Sequence, residues 1–110
     1  MSRFRQRVCD LNDSFRKRGP GSGGWLVTAG VQSLGSAFIA QAIQAVAAFN
    51  VFSADNDPHG EHDFGSTLVT GQQLFWKIDY YDLELAFGSP DPSDPDITLR
   101  VLTIMLASEY

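Results

Sequence analysis

Between Ser36 and Asn50 the chain reads SAFIAQAIQAVAAFN, fifteen residues without a single charge. Alanine and glutamine favour helix, and a helix with no charged face is usually covered on most of its sides. This segment therefore sets the architecture: the rest of a 110-residue chain, one domain by length, has to wrap it. Ser36 is read as its N-cap. Gln41, Gln44 and Asn50 interrupt the apolar run, which falls short of a membrane span. The start, MSRFRQRVCD, has arginines but no continuous apolar stretch behind them, so no secretory signal is expected. Cys9 is the only cysteine, which excludes an internal disulfide and fits a reducing compartment. The expectation is a soluble, cytoplasmic protein with no membrane partner.

Around the central helix the periodicities change. Phe4, Val8, Leu11 and Phe15 form one apolar stripe ringed by arginines, so residues 1–18 read as an amphipathic basic helix. Residues 19–24, within RGPGSGG, read as a Gly-rich linker; they lack the Lys-Ser/Thr ending of a phosphate loop. Residues 25–110 read as the folded domain. GWLVTAGV alternates as a strand, and STLVTGQQLFWKIDYYDLELAF as further strands, with a hairpin turn at Thr70-Gly71-Gln72. A second turn near Tyr81–Leu83 would send Leu83, Leu85 and Phe87 back along the sheet. GSPDPSDPD is a loop that enters a C-terminal helix over ITLRVLTIMLASEY, with Asp94 as N-cap and Pro95 at the first helical position. The expected fold class is α+β: an antiparallel meander sheet of about four strands packed against two apolar helices, with the basic helix in front.

The net charge of -5 hides an asymmetry. Residues 1–18 carry Arg3, Arg5, Arg7, Arg16, Lys17 and Arg18 against two acids, a net of +4; the remainder holds two cations against eleven acids, a net of −9. The basic arm suits DNA or an acidic partner, although the charged outer face of an amphipathic helix is the commoner explanation. Asp79, Asp82, Glu84 and Asp91, with Asp94 and Asp96, could imitate phosphates and fill the nucleic-acid groove of another protein. The bland reading is a solvated face, with Asp94 and Asp96 capping a helix. Trp76, Tyr80 and Tyr81 resemble a base-stacking platform, but the acids around them would repel phosphate, and alternating aromatics more often form core. Self-association is a further outcome of so polar a charge distribution.

One stretch concentrates chemistry. DNDPHGEHDFG, Asp55–Gly65, holds four acids and both histidines of the chain. As a calcium loop it fails at its twelfth position, where Ser66 stands in place of a bidentate glutamate. His59, Glu61, His62 and Asp63 are the candidate metal or polar cluster, for zinc or manganese, with Asp79 or Asp82 brought over by the sheet; the spacing matches no standard zinc motif. His62 could serve as a general base, yet no nucleophile is evident: Cys9 lies beside the apolar stripe, and Ser66 and Ser89 are loop serines. An acid–x–lysine nuclease would need an acid where Phe75 precedes Lys77. The simplest reading is a capped turn, in which His62 and Asp63 pair with each other or with Lys77. No catalytic residue is assigned and no cofactor is required.

Several motifs together carry a resemblance. They are LND-FR at Leu11–Arg16, TAGV at Thr28–Val31, NDPHGEHDFG at Asn56–Gly65, FWKIDYYD at Phe75–Asp82, GSPDPSDP at Gly88–Pro95 and TLRVLTIMLASEY at Thr98–Tyr110. Across nearly its whole length the chain resembles a bacterial family of small proteins known as a domain of unknown function, found mainly in alphaproteobacteria and often on plasmids and other mobile elements. The resemblance implies no established activity. Its mobile-element setting implies an accessory role in anti-defence, maintenance or transfer. The leading expectation is thus a non-enzymatic protein-interaction module, an inhibitor of a host nucleic-acid-targeting system acting through its acidic surface on an unidentified protein partner. The alternatives are a metal-binding protein or metal-dependent hydrolase centred on Asp55–Asp63, and a DNA binder using the basic helix.

Overall fold

In the computed structural model, which describes residues 2–110, the arginine-rich start folds as helix α1, Arg3–Arg18. Ser2 caps it, its hydroxyl accepting the Arg5 N–H at 3.1 Å. α1 buries Val8, Cys9, Asn12 and Arg16 and docks on its own chain. It stops at Gly19, whose φ of +73° is left-handed. The following residues wind a 3-10 turn, Gly19–Ser22. At Gly24 the backbone lies so close to the Arg100 carbonyl and the Phe15 ring that a Cβ would sit 2.8–2.9 Å from them.

Strand β1 (Trp25–Val27) leads into the short helix α2 (Ala29–Gln32), capped by the Thr28 hydroxyl. The charge-free segment forms α3, Ser36–Ala47, with Gly35 rather than Ser36 as the N-cap residue. Its buried positions Phe38, Ala42 and Val46 recur every four residues, one stripe and not a full circumference. Ala37, Ala40, Gln41 and Gln44 face water, which small and neutral side chains tolerate.

Three longer strands follow: β2 (Phe64–Val69), β3 (Gln72–Tyr81) and β4 (Leu99–Leu106). The sheet order is β1-β4-β3-β2, with β1 parallel to β4 and the other pairs antiparallel, so the fold is α+β with a mixed sheet, not a pure meander. Two expectations are overturned. The C-terminal apolar segment is the strand β4, not a second apolar helix. A strand flanked on both sides reads as a continuous apolar run, as a buried helix does, and the β-branched Val101, Thr103 and Ile104 decide for strand. Leu83, Leu85 and Phe87 do not return along the sheet either. The chain turns tightly after Tyr81, with only a Tyr81–Gly88 bridge, and β4 takes the place beside β3. Asp94 caps a turn instead of a helix, accepting the Asp96 N–H at 2.9 Å, because a short acid offers the same bond to either structure.

The register gives the sheet two unlike faces. Leu74, Trp76 and Ile78 of β3 and Leu102 and Ile104 of β4 point inward onto Val31, Phe38, Ala42 and Val46. Leu74, Leu102 and Ile104 have no exposure, and each such side chain contributes about 1.5–3 kcal/mol. The opposite face carries Phe64, Phe75, Lys77, Asp79 and Tyr81, with the Tyr110 ring folded back onto Phe64 and Phe75 at 5.8 and 5.1 Å. No described helix is long and apolar enough to cross a membrane.

Candidate functional site

The histidine stretch is a capped loop, as its composition suggests. Asn56 and Ser53 cap each other's backbone, Asn56 also donates to the Val51 carbonyl at 3.0 Å, and Gly60 adopts a φ of +69°. The loop then does something that no local rule implies. At His62 the backbone turns through a left-handed φ of +56° and aims the imidazole at α1. There Nδ1 lies 2.9 and 3.1 Å from the two carboxylate oxygens of Asp13, and Nε2 lies 3.5 Å from Asp57. The ring stacks flat on Phe52, with centroids 3.7 Å apart and planes 4° from parallel. Asp57 additionally accepts the His62 backbone N–H. Cys9, one helical turn before Asp13, places Sγ 3.9 Å from the same carboxylate. Burial and the neighbouring Asp13, Asp10 and Asp57 push its thiol up to about 11.

Arg16 completes this side of α1 and is 1% exposed. Its guanidinium donates to Asp13 at 3.1 Å and to the carbonyls of Val46 and Ala47 at 3.1 and 3.0 Å, at the C-terminal end of α3. It lies over the rings of Trp76 and Phe52, 5.4 and 5.6 Å from their centroids. A second polar knot sits beside it. Asn12, fully buried, donates to the Glu61 carbonyl at 2.9 Å and the Tyr80 hydroxyl at 2.8 Å and accepts from Arg100 Nε at 2.7 Å. Arg100 also donates to the Pro92 carbonyl at 2.6 Å. Burial raises the Tyr80 hydroxyl well above the ordinary phenol range and lowers Arg100.

The candidate residues fare differently. Of His59, Glu61, His62 and Asp63, only His62 joins a convergent set of ligating atoms. Among the described residues that set is Cys9, Asp13 and His62, within 4.8 Å of one another. His59 is exposed. Glu61 and Asp63 are both pushed up, by burial first and then by surrounding acids, and neither pairs with His62. The expected His62–Asp63 or Lys77 pairing is replaced by Asp13 and Asp57, while Lys77 bonds Asp79 at 3.1 Å. In the basic arm Arg3, Arg5, Arg7, Lys17 and Arg18 are exposed, but Arg16 belongs to the core. On the acidic side Asp82 accepts the Ala86 N–H at 2.9 Å and Asp91 accepts the Ser93 N–H at 3.1 Å, so both shape turns. The joining of Asp13 and Asn12 to this site carried no signal in the sequence, since their partners across the fold lie 49 to 88 residues away.

Between Asp82 and Glu84 and beyond, the loop projects apolar groups. Leu83, Leu85 and Phe87 are 52, 57 and 76% exposed. Yet the backbone beneath is pinned: Asp82 N–H to the Phe87 carbonyl at 2.8 Å, Leu85 N–H to the Asp82 carbonyl at 3.0 Å, Ser89 N–H to the Tyr80 carbonyl at 3.1 Å.

A family model described as "Protein of unknown function (DUF3768)" matches residues 27–109, most of the chain. The chain belongs to this family. The matched span takes in strands β2, β3 and β4, α3, the His62 loop and the Leu83–Phe87 projection, and leaves out most of β1 and all of α1, which holds Cys9, Asn12, Asp13 and Arg16. No curated protein and no solved structure matches the chain.

Proposed function

We propose that the protein is a non-enzymatic interaction module that binds another protein through the Asp82–Phe87 projection. The observation that carries this reading is the exposure of Leu83, Leu85 and Phe87 on a loop whose backbone is fixed by its own hydrogen bonds. Large apolar side chains held in water on an ordered backbone bind with little loss of chain entropy, and clustered exposed apolar groups mark interaction sites. Asp82 and Glu84 alternate with them, and Asp79 lies nearby along β3, so the complementary surface is an apolar cleft with a basic rim.

The narrower form of the proposal names the partner class. A basic-rimmed cleft is what a nucleic-acid-targeting protein presents, and the acids Asp79, Asp82, Glu84 and Asp91 would meet cations that otherwise meet phosphates. A role as a mobile-element inhibitor of a host defence system is consistent with that surface and with the motif resemblance. Duplex DNA is the competing ligand, favoured by the exposed Arg3, Arg5, Arg7, Lys17 and Arg18 of α1.

The test places a photo-reactive amino acid at position 87, or at the exposed position 41 of α3 as control, in the native host. The proposal expects a discrete heteromeric adduct from position 87 alone, lost when Leu83 and Leu85 are both changed to Ser in a chain that still folds. Adducts of equal yield from both positions, or none from position 87, would sink it. An adduct of twice the chain mass would replace it with self-association. Steeply salt-dependent binding of duplex DNA, abolished by Arg3→Ala and Arg5→Ala, would transfer the function to α1.

A further inference from the structure

The polar set where α1 meets the His62 loop is arranged as ligands are. Cys9 and Asp13 stand one helical turn apart on the same side of α1, and His62 closes on them from 49 residues away. Donor atoms around a tetrahedral zinc ion, with bonds of about 2.0–2.3 Å, lie roughly 3.3–3.6 Å from one another. Here His62 Nδ1 is 3.1 Å from Asp13 Oδ2, and Cys9 Sγ is 3.9 Å from that same oxygen. Arg16 engages the other oxygen, Oδ1, at 3.1 Å, and His62 Nδ1 lies 2.9 Å from that atom too, so the imidazole straddles the carboxylate while the sulfur faces Oδ2.

An independent observation concerns the two sides of the histidine. Nδ1 faces Asp13 and Nε2 faces Asp57, so carboxylates stand on both ring nitrogens. A neutral imidazole has one N–H and can satisfy one of them. With that proton on Nε2, toward Asp57, the Nδ1 lone pair is free to take a metal ion that Asp13 also binds; the metal-free counterpart is an imidazolium whose two N–H groups face the two carboxylates. A carboxylate on the outer nitrogen and a lone pair aimed inward is the arrangement that orients metal-bound histidines. The charges agree. Asp13 and Asp57 bring two negatives against the one positive of Arg16, and a divalent cation that displaces the Cys9 proton gains a third negative ligand.

The geometry points to a zinc(II) site built by Cys9 Sγ, Asp13 Oδ2 and His62 Nδ1, with Asp57 as the residue that positions the imidazole. The thiol, imidazole and carboxylate set selects zinc over manganese, magnesium or calcium, which prefer oxygen. Binding exchanges the Cys9 S–H proton for a sulfur–zinc bond and releases that proton to solvent. Asp13 and His62 are partly exposed, so a water molecule takes the fourth position. The ion would clip α1 to the loop and so join the helix to the rest of the domain.

Cobalt(II) is the probe. The full chain, stripped with EDTA, is titrated with cobalt, then with zinc as competitor, while thiolate-to-cobalt charge transfer and tetrahedral d–d absorption are read. One equivalent should develop both bands and zinc should bleach them. Cys9→Ser should lose the charge-transfer band, Asp57→Asn should weaken affinity about 10–100-fold, and His59→Gln should change nothing. Wild-type chain that develops no thiolate band overturns the proposal, and so do bands that survive Cys9→Ser or vanish with His59→Gln. Circular dichroism of each variant separates lost ligation from lost fold, and the wild-type result stands without any variant.

Discussion

Arg16 shows how far a residue's role can sit from its composition class. In the sequence it is one of six cations in a basic arm; in the fold it is the pin that ends α3 and neutralises Asp13. Removing one partner of a buried ion pair leaves the other charge uncompensated. Arg16→Met should therefore lower the unfolding free energy by about 3 kcal/mol, whereas Arg18→Ala on the exposed side should stay within about 0.5 kcal/mol. Urea denaturation midpoints read both. Glu109 offers a prediction of a different kind. It accepts from the Thr28 hydroxyl at 2.6 Å and from the Leu106 and Gly30 N–H groups, and those bonds hold its carboxyl below the ordinary glutamate range. A depressed carboxyl favours the folded state above its unfolded value, and the benefit disappears as pH falls through the folded value. Glu109→Gln should thus melt below the wild type at neutral pH, and the two melting curves should converge on acidification below the ordinary glutamate range.

At the scale of elements, β3 was legible because it alternates cleanly: Leu74, Trp76, Ile78 and Tyr80 face the helices, and Phe75, Lys77, Asp79 and Tyr81 face away. β4 was not, because both of its sides are apolar and the helix and strand periods then blur. Leu83, Leu85 and Phe87 alternate just as a strand does, and only the tight turn after Tyr81 decides that they project. The site was legible in part. The capped turn over Asp55–Gly65 follows from Asn, Asp, Pro and Gly chemistry, but the meeting of His62 with Cys9 and Asp13 needs the helix docked first. Two predictions belong here. Gly65 pairs with Trp76 across β2 and β3, and a Cβ there would collide with the fully buried indole. Gly65→Ala should accordingly cost about 1–3 kcal/mol in thermal or urea unfolding. Leu83→Ser, by contrast, changes an exposed side chain and should leave the melting midpoint almost unchanged, within about 0.5 kcal/mol, while lowering the yield of the adduct formed at position 87.

Among the described residues the molecule is a four-stranded mixed sheet with α1, α2 and α3 on one side. Asn12, Arg16 and Phe15 tie α1 into the domain through Tyr80, Arg100 and the end of α3. The division into a basic helix and an acidic body therefore survives in charge but not in structure. The cations of α1 and the acids beside the projecting loop remain the two rival binding surfaces, and they lie on different elements. Hydrogen exchange, read by mass spectrometry on the chain alone and on the chain in the complex captured through position 87, distinguishes them most directly. The account predicts new protection in the segment spanning Tyr81–Gly88, with exchange in Arg3–Arg18 unchanged. Protection that falls on Arg3–Arg18 and leaves the projecting loop as fast as in the free chain would contradict it.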